Sequence, residues 1–64
     1  MKTRIQELRK SKNLTQIALA MSIDSSQNTI SRIELEETVP NADLLCKIAD
    51  YFQTSVDYIL YRSD

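Results

Sequence analysis

The sequence predicts an all-α domain built from five short helices. Three observations point there. Apolar residues recur three and four apart along the chain, and no alternating strand pattern lasts. Each helix after the first is preceded by Thr, Ser or Asn, whose side-chain oxygen can accept from an orphan backbone N–H. The connections are short, with no glycine and a single proline, Pro40.

The first helix is expected from about Lys2 to Lys12, with Ile5 and Leu8 three apart on its inner side. Asn13 sits where it should stop, because Asn is the commonest substitute for glycine in the left-handed conformation that closes a helix. Leu14-Thr15-Gln16 restarts the chain. Thr15 is the N-cap, and Leu14 and Leu19 are spaced for a hydrophobic staple across it. This second helix reaches about Ser22, with Leu19, Ala20 and Ile23 inward, and Asp24 takes the bend at some cost in stability.

Ser26 caps a third helix, Gln27 to about Leu35, whose buried side shows Ile30 and Ile33. A loop of residues 36–40 follows. Asn41 caps a fourth helix, Ala42–Phe52, burying Leu45, Ile48, Ala49 and Phe52. Thr54-Ser55 opens a fifth, Val56–Tyr61, with Asp57 in its first turn where the helix dipole favours an anion.

All 64 residues are expected to form one domain. A chain this short has a thin stability margin, which disulfides or a metal often widen. Neither is on offer, since Cys46 is the only cysteine and there is no histidine. A lone thiol suits a reducing compartment, and Cys46 reads as a small, semi-buried residue. No apolar run is long enough for a membrane span, and the charged N-terminus lacks the apolar stretch of a signal peptide. A cytoplasmic location is the expectation. The chain after Leu60 reads as a natural tail.

Enzyme chemistry is not expected. A nucleophile needs a base, and no histidine is present to serve as one. Carboxylates are scattered and no Cys/His cluster exists, so no metal site is expected. Nothing marks a cofactor or small-molecule ligand.

The formal net charge of −1 argues mildly against a polyanionic partner, but its distribution does not. Residues 1–12 hold Lys2, Arg4, Arg9, Lys10 and Lys12 against Glu7, a net of +4. From Glu34 onward seven acids, Asp64 among them, stand against Lys47 and Arg62, a net of −5. A basic half facing phosphate reconciles these facts, and so does a solvated helix face that is basic without function.

Residues 15–34 are the informative stretch: two short helices, a tight bend, and the small Ala20 four before Asp24. A small residue lets the second helix cross the first closely and project its outer face. That face carries Gln27, Asn28, Ser31 and Arg32. Asn or Gln can bond adenine with both amide groups, and Arg can do so with guanine. Any solvated helix is also polar, so composition alone does not decide the matter.

These residues, with Arg4-Ile5, Leu8-Arg9, Leu14-Thr15-Gln16, Leu19-Ala20, Ser26-Gln27, Thr29-Ile30-Ser31-Arg32-Ile33-Glu34, Pro40, Lys47-Ile48-Ala49 and Ser55-Val56-Asp57, closely resemble the Cro/repressor (XRE) helix-turn-helix family. The resemblance covers about Arg4 to Leu60. It implies a five-helix lambda-repressor-like fold whose helices 2 and 3 form the helix-turn-helix. It also implies a prokaryotic or phage transcription regulator, nucleoid-associated, that reads double-stranded DNA through the major groove.

By that resemblance Gln27, Asn28 and Arg32 read bases, with Thr29 and Ser31 supplementary. Gln16 contacts a phosphate and braces Gln27, with Thr15 and Arg4 also at the backbone. Arg9 and Glu34 match the family's structural ion pair; a phosphate contact for Arg9 and plain solvation for Glu34 are the alternatives.

Departures are visible as well. Asn13, Asp24 and Gln53 stand where such domains usually have glycine, and Ser25 replaces an apolar turn residue. Glu36-Glu37 would repel phosphate if they faced it. Ile17 and Met21, four apart on the second helix, replace commonly polar residues; partial burial or a protein-contact patch would account for them. The C-terminal run of Tyr51, Phe52, Val56, Tyr58, Ile59, Leu60 and Tyr61 exceeds what one short helix buries alone. A two-fold homodimer through Tyr58, Leu60 and Tyr61 is therefore expected. The competing reading is a module of the same fold that binds a protein partner, with DNA binding weak or lost.

Overall fold

A computed structural model describes residues 1–62. Asp64, counted above among the C-terminal acids, lies outside the described residues. Five helices follow in order: α1 Ile5–Ser11, α2 Gln16–Ser22, α3 Gln27–Glu34, α4 Ala42–Phe52 and α5 Val56–Ile59. No strand occurs among the described residues.

Four of the five helices start as the sequence implies. Thr15 Oγ1 accepts from the N–H of Ala18 at 3.0 Å, and Ser26 Oγ from that of Thr29 at 3.2 Å. Asn41 Oδ1 accepts from Leu44 at 2.8 Å, and Ser55 Oγ from Tyr58 at 3.0 Å. Each of these contacts satisfies one of the backbone donors that a helix start leaves unpaired.

Helix α1 begins three residues later than its periodicity suggests. The N–H of Arg4 donates to the carbonyl of Ile59 at 2.8 Å, so the entering chain is tied to α5 before it coils. Helix α5 in turn ends at Ile59 and not at Tyr61, because Tyr61 adopts φ 60°.

All five helices close in the same way, and none uses glycine. Asn13, Asp24, Glu36, Gln53 and Tyr61 each take a left-handed backbone, with φ between 54° and 62°. In every case the next residue's N–H reaches back to a carbonyl inside the helix: Leu14 to Arg9, Ser25 to Ala20, Glu37 to Arg32, Thr54 to Ala49 and Arg62 to Asp57. This is the Schellman arrangement. The sequence identifies Asn13 and Asp24 as such positions, and the family resemblance marks Gln53 as a usual glycine site; Glu36 and Tyr61 add two that neither marks.

The core gathers Ile5, Leu19, Ala20, Ile23, Ile30, Ile33, Leu45, Ile48, Ala49, Phe52 and Ile59, with Leu8, Leu14, Leu44, Val56 and Leu60 packed against it. Every inward residue predicted on α1 to α4 is in this set. Ile59, one of the C-terminal apolar run, is fully buried in the monomer and takes up part of that surplus. Cys46 is a correction: it is exposed. It lies outside the Leu45, Ile48, Ala49 and Phe52 stripe that α4 turns inward.

Candidate nucleic-acid interface

Helix α3 is set by what α2 lets it do. Asp24 turns the chain at φ 55°, Ser25 closes α2 onto Ala20 at 2.8 Å, and Ser26 starts α3 immediately afterwards. Ala20 is buried at the crossing and has only a methyl group to accommodate, so the two helices pack closely. Ile30 and Ile33 then anchor the inner side of α3. Gln27, Asn28 and Arg32 are exposed on its outer side, and Thr29 and Ser31 are half-buried beside them. Thr29 Oγ1 lies 2.9 Å from Ser26 Oγ, a hydrogen bond that ties its hydroxyl to the cap.

A chain of polar contacts links α1 to this surface. Arg9 Nε donates to Glu34 Oε2 at 2.7 Å and its Nη2 to Glu34 Oε1 at 2.9 Å. Arg9 Nη1 donates to the carbonyl of Leu14 at 2.7 Å, holding the α1–α2 turn as well. The pair is largely out of water, with side-chain exposures of 11% for Arg9 and 2% for Glu34. Gln16 Nε2 donates to Glu34 Oε1 at 3.1 Å. Gln27 Nε2 in turn donates to Gln16 Oε1 at 3.4 Å, a long contact.

The electrostatics of the pair follow from this geometry. Burial pushes the Glu34 carboxyl up, but hydrogen bonds from Arg9 and Gln16, with the charges of Arg9 and Lys10, outweigh it and hold the group below its ordinary value. The hydrogen bond to Glu34 raises Arg9 further, against its own desolvation and with help from the Glu34 charge. Both partners are charged at neutral pH.

Thr15 is exposed at the start of α2 and caps it. Arg4, expected at the DNA backbone, has its guanidinium in a clasp between the chain ends. Its Nε donates to the carbonyl of Tyr58 at 2.8 Å, and the group lies 4.3 Å from the Tyr58 ring centroid and 4.1 Å from that of Tyr61. Lys2 sits over the same Tyr61 ring at 5.4 Å. Tyr58 and Leu60 are half-buried and Tyr61 is exposed.

Ile17 and Met21 are 54% and 77% exposed, so Ile17 is partly covered and Met21 is largely open to solvent. Glu36 and Glu37 both face solvent. The Gln16–Glu34 contact is absent from the sequence reading, and no local pattern marks it, since the partners are 18 residues apart.

An all-α domain whose second and third helices form a close-packed helix-turn-helix, with the polar side of the third exposed, defines the class. The profile of the helix-turn-helix family matches residues 5–59, and the chain belongs to that family, in its Cro/repressor (XRE) branch. Among solved structures, the P22 c2 repressor protein in complex with synthetic operator 9T superposes with a TM-score of 0.86 at 35% identity, over 94% of this chain and 91% of that one. The solution structure of the DNA-binding domain of the P22 c2 repressor gives 0.81 at 37% identity, over 89% and 75%. No curated protein matches the chain. Among the described residues no helix is long and apolar enough to cross a membrane.

Proposed function

We propose that this chain is a sequence-specific repressor that binds a palindromic operator as a homodimer. The family and fold are those of DNA-binding transcription regulators, and the P22 c2 repressor it resembles is described in complex with an operator. The observation that carries the reading is the outer side of α3. Gln27, Asn28 and Arg32 stand exposed on a helix whose opposite side is locked into the core. Laid in a major groove, they offer amide and guanidinium edges that match adenine and guanine. Thr29 and Ser31 are supplementary contacts, and Gln16 and Thr15 lie at the phosphate backbone beside the start of α2.

One domain covers one half-site, so specific affinity calls for two copies about one helical turn apart. Tyr58, Leu60 and Tyr61 are the proposed contacts between them. Sedimentation at high micromolar concentration tests this, and a monomer alone under those conditions would remove the dimer. The proposed location is the nucleoid of a prokaryotic or phage-infected cytoplasm.

Selection from random duplex DNA, followed by titration of the recovered site at several salt concentrations, tests the whole reading. The expected result is a palindromic consensus, with log affinity falling by about 0.9 per phosphate neutralised for each unit of log salt. A folded protein that enriches no sequence at low salt would overturn it.

A second reading keeps the fold and makes it a protein-binding module. The exposure of Ile17 and Met21 on α2 favours it. Replacing Gln27 and Arg32 together separates the two: a DNA reader loses operator specificity, whereas a protein binder keeps its partner.

A further inference from the structure

We infer that Glu34 is a positioning residue for base reading: through Gln16 it dictates which end of the Gln27 carboxamide faces the DNA. The inference rests on the DNA-reading function proposed above and assigns Glu34 a part in specificity beyond its ion pair with Arg9.

The argument follows donors and acceptors along the network. An ionised carboxylate only accepts hydrogen bonds. Glu34 takes two from Arg9, at 2.7 and 2.9 Å, and a third from Gln16 at 3.1 Å. Because Glu34 has no proton to give, Gln16 must turn its amino end toward it. The carbonyl end of Gln16 then faces Gln27, which must answer with an N–H, at 3.4 Å. The opposite orientation of Gln27 would set two carbonyl oxygens against each other.

Gln27 is thus left with its carbonyl oxygen and one N–H to present outward. Those two groups complement the donor and acceptor that adenine shows in the major groove. The last contact is long, so its strength is small; what it supplies is direction. A free carboxamide populates both orientations, and removing one of them favours adenine over the other bases. The negative charge that selects this polarity lies two side chains away from the base.

A double-mutant cycle on the whole chain tests the link. Gln27→Ala first identifies the base pair at which preference is relaxed. Affinities for duplexes differing only at that pair are then measured for the wild type, Glu34→Gln, Gln16→Ala and the double variant. Gln at position 34 can keep an oxygen on Arg9 while offering an amino group to Gln16, which reverses the polarity. The expected result is a loss of adenine preference of about 3- to 10-fold in each single variant. The double variant should lose no more than either single one, and discrimination at the other base pairs should stay as it was.

A readout independent of DNA accompanies this, because Glu34→Gln also weakens the fold. In the free, folded protein, Gln16→Ala should shift the side-chain amide resonances of Gln27, and Glu34→Gln should shift those of both glutamines. A uniform loss of affinity at every base pair, or additive losses in the double variant, would overturn the inference while leaving the base-reading function standing. A wild type that discriminates at no base pair would overturn the base-reading function, and the inference with it.

Discussion

Arg9 holds Glu34 with two hydrogen bonds, at 2.7 and 2.9 Å, while its third arm reaches the Leu14 carbonyl at 2.7 Å. One side chain thereby joins α1, the end of α3 and the turn into α2. Removing either charge leaves the other largely buried without its partner, which costs about 3–5 kcal/mol. In a domain this small that is most of the stability. Urea denaturation of Arg9→Ala and Glu34→Ala is expected to show midpoints far below that of the wild type. Arg9→Lys should rescue only part of the loss, because an ammonium cannot reach both carboxylate oxygens and the carbonyl together.

The same pair predicts how stability depends on acid. In the unfolded chain Glu34 titrates near its ordinary value of 4.5, and in the folded domain it titrates lower. Between those two values the unfolded state binds more protons, so stability falls as pH falls through that interval. Above it the contribution is fully present and flat. Denaturation midpoints measured from pH 6 to pH 3 (roughly the window set by ordinary carboxylate values) should show this decline. Glu34→Gln should remove its share of the slope; an unchanged slope would refute the assignment to Glu34.

The five left-handed helix ends predict a stabilising substitution. A residue with a Cβ pays about 1–2 kcal/mol in that conformation, and glycine pays little. Gln53 adopts φ 54° and its side chain is exposed, so Gln53→Gly removes strain without opening the core. A gain of about 1 kcal/mol is expected, or roughly 4–8 °C in Tm for a domain of this size. Asn13→Gly should gain less, because Asn tolerates the left-handed region better than Gln. A Gln53→Gly protein that melts at or below the wild-type temperature would contradict this account.

Arg4 belongs to the clasp between the chain ends, and a substitution there separates structural from DNA-binding loss. Its contacts with the Tyr58 and Tyr61 rings and the Tyr58 carbonyl predict that Arg4→Ala destabilises by about 1–3 kcal/mol. The salt dependence of DNA binding should stay the same, because the clasp already engages the guanidinium. A salt slope smaller by about 0.9 would instead return Arg4 to the DNA backbone.

Much of this organisation is legible before any coordinates. Thr15, Ser26, Asn41 and Ser55 cap the helices they precede. Ile30 and Ile33 face inward, while Gln27, Asn28 and Arg32 face out. The left-handed positions at Asn13 and Asp24 are legible too, and the family resemblance marks Gln53 as a glycine site. The features that are not legible join distant parts of the chain. Ile59, in a C-terminal run too apolar for one short helix to bury alone, is absorbed by the shared core. The Arg4 guanidinium is held across 54 residues by the Tyr58 carbonyl, a contact that no local pattern marks. Cys46 reads as semi-buried and is exposed, because the stripe that α4 buries passes beside it.

The division has a physical cause. Helix period, caps and turn conformations depend on residues within about four positions of each other, so the sequence alone determined the five helices and the outward side of α3. Which side chains meet across helices depends on how those helices dock around a shared core. Only the tertiary structure could therefore decide that Glu34 accepts from Gln16, 18 residues away, and so orients the glutamine that the family resemblance already placed beside Gln27. It also decided that the N-terminal segment closes on Ile59, through a backbone bond that carries no side-chain signature at all.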